Sequence, residues 1–140
     1  MRFMIMVKAN AESESGEPPS QELFAAMGRF NEELVNAGVL LAGEGLKPSS
    51  QGARVRFGGG RRTVVDGPFA ETEELLAGFW LIDVKSLDEA IAWVERVPCE
   101  EGEVEIRPVF EPADFEPHLS EELHEAELRL RERVTTQQHL

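Results

Sequence analysis

Two runs of the chain are apolar on both faces for the length of a β-strand, and they constrain the fold more than any other feature. They are RFMIMVK (residues 2–8) and GFWLIDV (residues 78–84). A strand with this pattern is typically buried between two neighbouring strands and covered by helices. The sequence therefore predicts that both runs are central strands of one sheet.

A helix is predicted between the first of these strands and the next. Its apolar residues recur at steps of four, three and four, which places them on one helix face. They are Leu23, Met27, Phe30 and Leu34. Ser20 suits the N-cap and Gly38 supplies the stop. The preceding segment, residues 9–20, is polar and contains glycine and proline, and we expect a solvated loop there.

A second helix follows the second doubly apolar run. Ser86, with Glu89 three residues later, forms the pattern of a capping box, and Pro98 ends the helix. The side chains that we expect to face inward are Leu87, Ile91 and Val94.

The remaining strands are shorter or polar on one face. VLLAGEGL (residues 39–46) is predicted as the second strand, and EVEIRP (residues 103–108) alternates as a last strand with one wet face. ARVRF (residues 53–57) and RRTVV (residues 61–65) flank three glycines, which predicts a hairpin whose arginines face solvent. We expect this hairpin to be an appendage to the core.

Without the hairpin, the order is strand, helix, strand, strand, helix, strand, which is the ferredoxin-like βαββαβ arrangement of an α+β protein. Its first and third strands lie in the middle of the sheet, where the two doubly apolar runs fall. Both helices then cover one sheet face, so the other face needs a different cover. We therefore predict a homodimer that packs through its sheet faces.

The chain length of 140 residues suits one compact domain. We predict this domain over residues 1–115, and a C-terminal helix with a frayed tail over residues 116–140. The helix is expected over residues 120–134, because a serine cap, acids in the first turn and arginines in the last turn suit its dipole. The last six residues are expected to fray.

Charge and composition exclude several classes of function. The 27 acidic and 14 basic residues give a net charge of −13, which repels nucleic acid and anionic membranes. The apolar runs are far shorter than the ~20 residues that cross a bilayer, and no signal-peptide pattern is present, so a cytoplasmic protein is expected. Cys99 is the single cysteine, which excludes an intrachain disulfide and a cysteine-cluster metal site. We predict neither metal nor cofactor.

Three stretches in a fixed order carry a family resemblance: VLLAGEGL, then VVDGPFAETEELLAGFWLIDVKSLDEAIAWV, then VEIRPVFE. They resemble the YCII-related proteins, specifically the branch that carries the DGPF motif, over residues 1–115. The resemblance implies a ferredoxin-like fold that dimerises through its sheets, of the dimeric α+β barrel type. Some such proteins are enzymes that act on small ring compounds by elimination or isomerisation. The DGPF branch is often encoded near alternative sigma factors, which implies a link to such a factor.

The chain departs from the family at one residue type. The family is suspected of using a histidine and aspartate pair, with the histidine on the first helix, where this sequence has Met27. All three histidines lie in the tail, at His118, His124 and His139. Histidine is the usual proton carrier at neutral pH, so its loss favours binding over histidine-based catalysis.

Asp66 has two interpretations that can coexist. With Gly67 and Pro68 it forms a turn signature, in which the carboxylate accepts a backbone N–H. It would also act as a general base if the turn held it at the rim of a cleft. Glu44 stands between two glycines that permit close approach of a ligand, or is simply a charge at a strand end.

The predicted ligand-binding residues surround this turn and one central strand. They are Gly67, Pro68, Phe69 and Trp80, of which the two aromatic residues are also suited to the core. Two functions remain open. One is a small-molecule-binding or regulatory accessory module; the alternative is a lyase or isomerase that acts on a small ring compound, with Asp66 as base and Glu44 assisting.

Overall fold

The computed structural model describes residues 1–70 and 74–138. The chain forms two compact units, Met1–Pro108 and Val109–Leu140. The elements of the first unit are β1 (Arg2–Lys8), α1 (Ala11–Glu14), α2 (Gln21–Asn36), β2 (Leu40–Gly45), β3 (Ala53–Gly58), β4 (Arg61–Asp66), β5 (Leu76–Asp83), α3 (Leu87–Val94) and β6 (Val104–Pro108). The second unit contains α4 (Pro112–Phe115) and α5 (Glu121–Gln138).

The main sheet has four antiparallel strands in the order β2-β5-β1-β6. The two doubly apolar runs are its central strands, and Ile5 of β1 lies between Trp80 of β5 and Ile106 of β6. This order is that of the ferredoxin-like α+β fold, so the fold predicted from the strand patterns is confirmed.

The core lies between one face of this sheet and helices α2 and α3. Its buried residues are Phe3, Ile5, Phe30, Leu34, Trp80, Ile82, Val84 and Ala90. Phe30 of α2 meets the ring of Trp80 edge-on, with the centroids 5.4 Å apart. The indole Nε1–H of Trp80 also donates to Oδ1 of Asn31 at 2.8 Å, which satisfies the one polar atom of this side chain.

Helix α2 begins and ends where its sequence signals predict. The Oγ of Ser20 accepts the N–H of Leu23 at 3.1 Å, and Gly38 has a φ of +73° after the last turn. The prediction of a loop over residues 9–20 is wrong near its start, because Ala11–Glu14 form α1. Asn10 and Ser13 cap α1 reciprocally, since each side-chain oxygen accepts the other's backbone N–H.

Helix α3 turns a different face to the core from the one predicted. Ala90 is fully buried, whereas Leu87 and Ile91 are 47% and 37% exposed. A small residue at the contact lets the helix approach the sheet closely, and the larger Trp93 and Val94 then pack beside it. The expectation that Leu87 and Ile91 point inward is therefore wrong, and the one for Val94 is confirmed.

Strands β3 and β4 form a separate two-stranded sheet, as expected of an appended hairpin. Val55 pairs with Val64 and Arg54 pairs with Val65, and paired residues share a face. The register places Phe57 and Arg62 on the face of Val55 and Val64, and Arg56 on the face of Arg54, so each face carries arginine. The prediction that the hairpin arginines face solvent is wrong for Arg54, which is half-buried.

The second unit is built on α5, which continues to Gln138 and not to residue 134. Residues 135–138, which were expected to fray, are helical, and the Oγ1 atoms of Thr135 and Thr136 donate to backbone carbonyls one turn earlier. The end of the predicted frayed tail, residues 139–140, lies outside the described residues. No helix among the described residues has the length and apolar character needed to cross a membrane.

Candidate functional site

A cavity of about 490 Å³ lies in the first unit, between the segment that follows β2, the start of β3 and the segment that leads into β5. Its wall is partly apolar, through Leu46, Leu75 and Leu76. The wall also contains charged, polar and aromatic side chains, among them Glu14, Lys47, Ser49, Arg54, Phe69 and Glu74.

Ser49 connects three separate segments at one end of the cavity. Its backbone N–H and its Oγ–H both donate to the carboxylate of Glu14, at 3.1 and 2.6 Å. Its Oγ in turn accepts the backbone N–H of Phe69 at 3.0 Å. Ser49 thus connects α1, the segment after β2 and the segment after β4 through its backbone N–H and its hydroxyl.

Gly67 lies against the backbone of Ser49. A Cβ at this position would be 1.7 Å from the carbonyl oxygen of Ser49, a distance that no side chain tolerates. The N–H of Gly67 donates to the carbonyl of Gly52 at 3.1 Å, and the bond to the exposed Pro68 is a cis peptide bond. Glycine is therefore required here by close packing between two backbone segments.

Phe69 and Arg54 form the aromatic part of the wall. The guanidinium carbon of Arg54 lies 4.1 Å from the centroid of the Phe69 ring, and both residues are half-buried. A cation over an aromatic face is attracted by the ring quadrupole. The exposed Lys47 and Glu74 add one charge of each sign, so the wall offers hydrogen-bond donors and acceptors beside an apolar surface.

Asp66 is exposed at the end of β4. It pairs with Ala53, and the strand alternation directs it to the opposite face from Val65 and Arg54. The described residues that line the cavity do not include Asp66. Its proposed role as a base stays a prediction.

Glu44 is also exposed, on β2 beside Phe79 of β5. The glycine before it has a packing reason, because a Cβ on Gly43 would be 2.8 Å from Cδ1 of Trp80. Glu44 is absent from the described cavity wall, so this cavity does not bring the two candidate carboxylates together.

Trp80 is only 8% exposed and lies in the core, on the side of α2. Met27, at the position where the family resemblance implies a histidine, is half-buried against the same core. His118 and His124 belong to the second unit. Among the described residues, no three histidine, cysteine, aspartate or glutamate side chains come close enough together to hold a metal ion.

Of the described residues that line the cavity, Phe69 alone was predicted from the sequence as a site residue. The charged residues of that wall were not predicted, namely Glu14, Lys47, Arg54 and Glu74, and neither was Ser49. The hairpin alternation carried a signal for Arg54, because Arg54 pairs with Val65 on the face opposite Val55 and Val64. Ser49 and Glu14 are 35 residues apart, and no local pattern links them.

Comparison with known proteins gives matches to a relative, to a solved structure and to a family profile. An uncharacterised protein from Rhizobium meliloti (strain 1021) is 41% identical over 80 residues, which are 55% of this chain and 64% of that protein. The chain thus matches less than two thirds of the length of that relative.

A solved structure is also similar to this chain: the 5-chloro-2-hydroxyhydroquinone dehydrochlorinase TftG from Burkholderia phenoliruptrix AC1100, in complex with 2,5-dihydroxybenzoquinone. It is 17% identical, with a TM-score of 0.44, and the alignment covers 79% of this chain and 94% of that one. The sequence profile of the YCII-related domain matches residues 1–113, which include every residue of the cavity wall. The chain therefore belongs to the YCII-related family.

Proposed function

We propose that this protein binds a small organic molecule in the cavity beside Ser49 and Phe69. The observation that carries the proposal is the wall itself, where a half-buried arginine lies over an aromatic ring next to three leucines. The volume of about 490 Å³ is within the range of about 300–1,000 Å³ that is typical of small-molecule sites. Such sites combine a mostly apolar lining with a few polar groups that orient the ligand.

The chemistry of the wall favours a ring compound with polar substituents. Phe69 and the leucines suit a flat apolar body, while Lys47 and Arg54 donate hydrogen bonds to oxygen substituents. Glu74 accepts hydrogen bonds from a hydroxyl group. The carboxylate of Glu14 is engaged by Ser49, so we assign it to the wall's architecture and not to the ligand.

A titration with 4-hydroxybenzoate, followed by amide chemical shifts, tests this proposal. We expect saturable shifts at Ser49, Arg54 and Phe69, with a Kd on the order of 1 mM or tighter. Phe69→Ala should weaken binding about tenfold, because stacking of a planar ring on an aromatic side chain contributes roughly 1–3 kcal/mol to the binding free energy. Phe24→Ala is the matched control, since Phe24 is an exposed phenylalanine on α2. Shifts that spread evenly over the surface, or that survive Phe69→Ala, contradict the proposal.

The second candidate is a lyase or isomerase that acts on a small ring compound with Asp66 as general base. The exposed carboxylate supports it, because Asp66 is accessible and the next residue is held against the backbone of Ser49. The link to an alternative sigma factor and a regulatory accessory role stay predictions of the family resemblance.

The variant Asp66→Asn distinguishes the enzyme hypothesis from the binding hypothesis. The amide keeps an oxygen that accepts a backbone hydrogen bond but cannot take a proton near neutral pH. With a panel of chlorinated and unchlorinated dihydroxybenzenes, followed by ultraviolet absorbance and halide release, the enzyme hypothesis predicts turnover that Asp66→Asn reduces by at least about 100-fold. Equal rates in both proteins would exclude Asp66 as the base.

A further inference from the structure

The arginines of the hairpin formed by β3 and β4 are divided unequally between its two faces. Paired residues share a face and every second residue returns to it, so Arg54, Arg56 and Arg61 lie on one face. We call it the arginine face. Arg62 lies on the opposite face, where its guanidinium carbon is 5.0 Å from the centroid of the Phe57 ring.

The net charge of the hairpin falls on the arginine face alone. Residues 53–66 contain four arginines and one aspartate, a net charge of +3. The aspartate, Asp66, shares the opposite face with Arg62, so these two charges balance. The six residues of the arginine face all belong to the described part of the chain, and none of them is acidic. This face is therefore a concentrated positive patch in a chain whose net charge is −13.

The spacing of these arginines destabilises the hairpin unless an anion lies between them. Arg54 and Arg56 are about 7 Å apart along one strand, and Arg61 is the diagonal neighbour of Arg56 across the hairpin. Like charges at this spacing repel one another, and a two-stranded element has little stability with which to offset the repulsion. Such a local conflict is typical of a functional site, and a bound oxyanion would remove it.

The arginine face begins at the cavity wall. Arg54 belongs to both, because it lines the cavity and lies over the ring of Phe69. The charged side chains of the described wall are balanced, with two cationic and two acidic members: Lys47, Arg54, Glu14 and Glu74. Arg56 and Arg61 then add two positive charges on the side of the hairpin that Arg54 turns to the cavity. The balance beside the cavity is therefore positive.

We propose that the ligand of this cavity is an organic anion, whose carboxylate or phosphate group faces the hairpin and binds to the arginine face. The inference rests on the proposed small-molecule site and assigns the charge of its ligand. Arg54 contacts the oxyanion from the cavity side, because its planar fork of N–H donors matches carboxylate and phosphate oxygens. Arg56 and Arg61 attract the anion to this side of a molecule whose overall charge repels it.

Ligands that differ in charge and hardly in shape test the proposal in the full-length chain. 4-Hydroxybenzoate is an anion at neutral pH, and 4-hydroxybenzamide is its neutral counterpart. Amide chemical shifts give the Kd of each. We expect the benzoate to bind at least about fivefold more tightly, and only its affinity to fall as salt is raised, because salt screens exposed charges. 4-Hydroxyphenyl phosphate is the third ligand, and the tighter of the two anions identifies the preferred oxyanion.

A matched pair of variants assigns the effect to one face of the hairpin. Arg56→Gln and Arg62→Gln each remove one positive charge from an exposed position, on opposite faces of the same two strands. We expect Arg56→Gln to weaken binding of the anion at least about threefold and to leave binding of the amide unchanged. Arg62→Gln should leave both affinities unchanged.

The outcomes separate this inference from the proposed function. Equal affinities for the benzoate and the benzamide overturn the inference and leave the binding site itself intact. Failure of all three ligands to bind saturably overturns both. An equal loss of anion binding in the two variants also overturns the inference, because the net charge of the chain and not the arginine face would then act on the ligand.

Discussion

The residue that explains most of the local sequence is Gly67. It stands between the exposed Asp66 and the cavity wall, and its place against the carbonyl of Ser49 leaves no room for a side chain. The motif DGPF therefore has a structural reason at its glycine. Phe69, two residues later, donates its N–H to the same serine and supplies the ring under Arg54. The close packing of Gly67 on Ser49 and the position of the Phe69 ring in the cavity wall therefore depend on the same serine.

Gly67→Ala tests this role directly. The added Cβ would overlap the carbonyl of Ser49, so one of the two backbone segments must move, and we expect a loss of at least about 2 kcal/mol in the free energy of unfolding. Urea denaturation measures it. Gly28→Ala is the control, because a Cβ there meets no described atom within 4 Å and alanine favours α2 by ~1 kcal/mol. Equal stability of Gly67→Ala and wild type would contradict the close packing.

At the scale of elements, Ser49 lies in the segment after β2 and connects it to α1 and to the segment after β4. Glu14 ends α1 and accepts two hydrogen bonds from Ser49, and Phe69 donates a third to it. None of these residues belongs to the main sheet. Three short polar contacts therefore position the cavity wall relative to elements that the core holds in place.

Ser49→Ala should loosen this junction without unfolding the sheet. It removes the hydroxyl that donates to Glu14 and accepts from Phe69, which we expect to cost about 1–2 kcal/mol. The amide of Phe69 should then exchange its hydrogen at least about tenfold faster, since local opening becomes easier. Ser50→Ala is the matched control, because Ser50 is the exposed neighbour of Ser49. Unchanged exchange at Phe69 would show that the hydroxyl does not hold the junction.

At the scale of the whole molecule, the sheet has two unlike faces. One carries the core with α2 and α3. The other presents Met4, Met6, Phe79 and Leu81, which are half-buried. A row of apolar side chains on the second face of a sheet is typical of a surface that another layer covers.

We expect the protein to be a homodimer at micromolar concentration, with the second sheet faces in contact. Leu81→Glu puts a charge in the middle of this face and should shift the protein to a monomer, because a buried unpaired charge is strongly unfavourable. Light scattering measures the mass of both proteins. Val35→Glu, on the exposed side of α2, serves as the control. A wild-type monomer at micromolar concentration rules out this dimer.

The sequence by itself determined the order of strands and helices in the first unit, because local periodicity reports which side of an element is buried. The doubly apolar runs marked β1 and β5 as central strands, and Ser20, Ser86 and Gly38 marked helix ends through hydrogen bonds and backbone angles that are local. The family followed from motifs that are contiguous in the chain.

Only the tertiary structure decided which side chains meet across long separations. Ala90 and not Leu87 faces the sheet, because the fit between helix and sheet depends on the size of the residue at their contact. Arg54 turns inward to Phe69 while Asp66 turns outward, because the register of β3 and β4 assigns them to opposite faces. The contact of Gly67 with Ser49, and the carboxylate of Glu14 beyond it, arise from the packing of segments that share no local pattern.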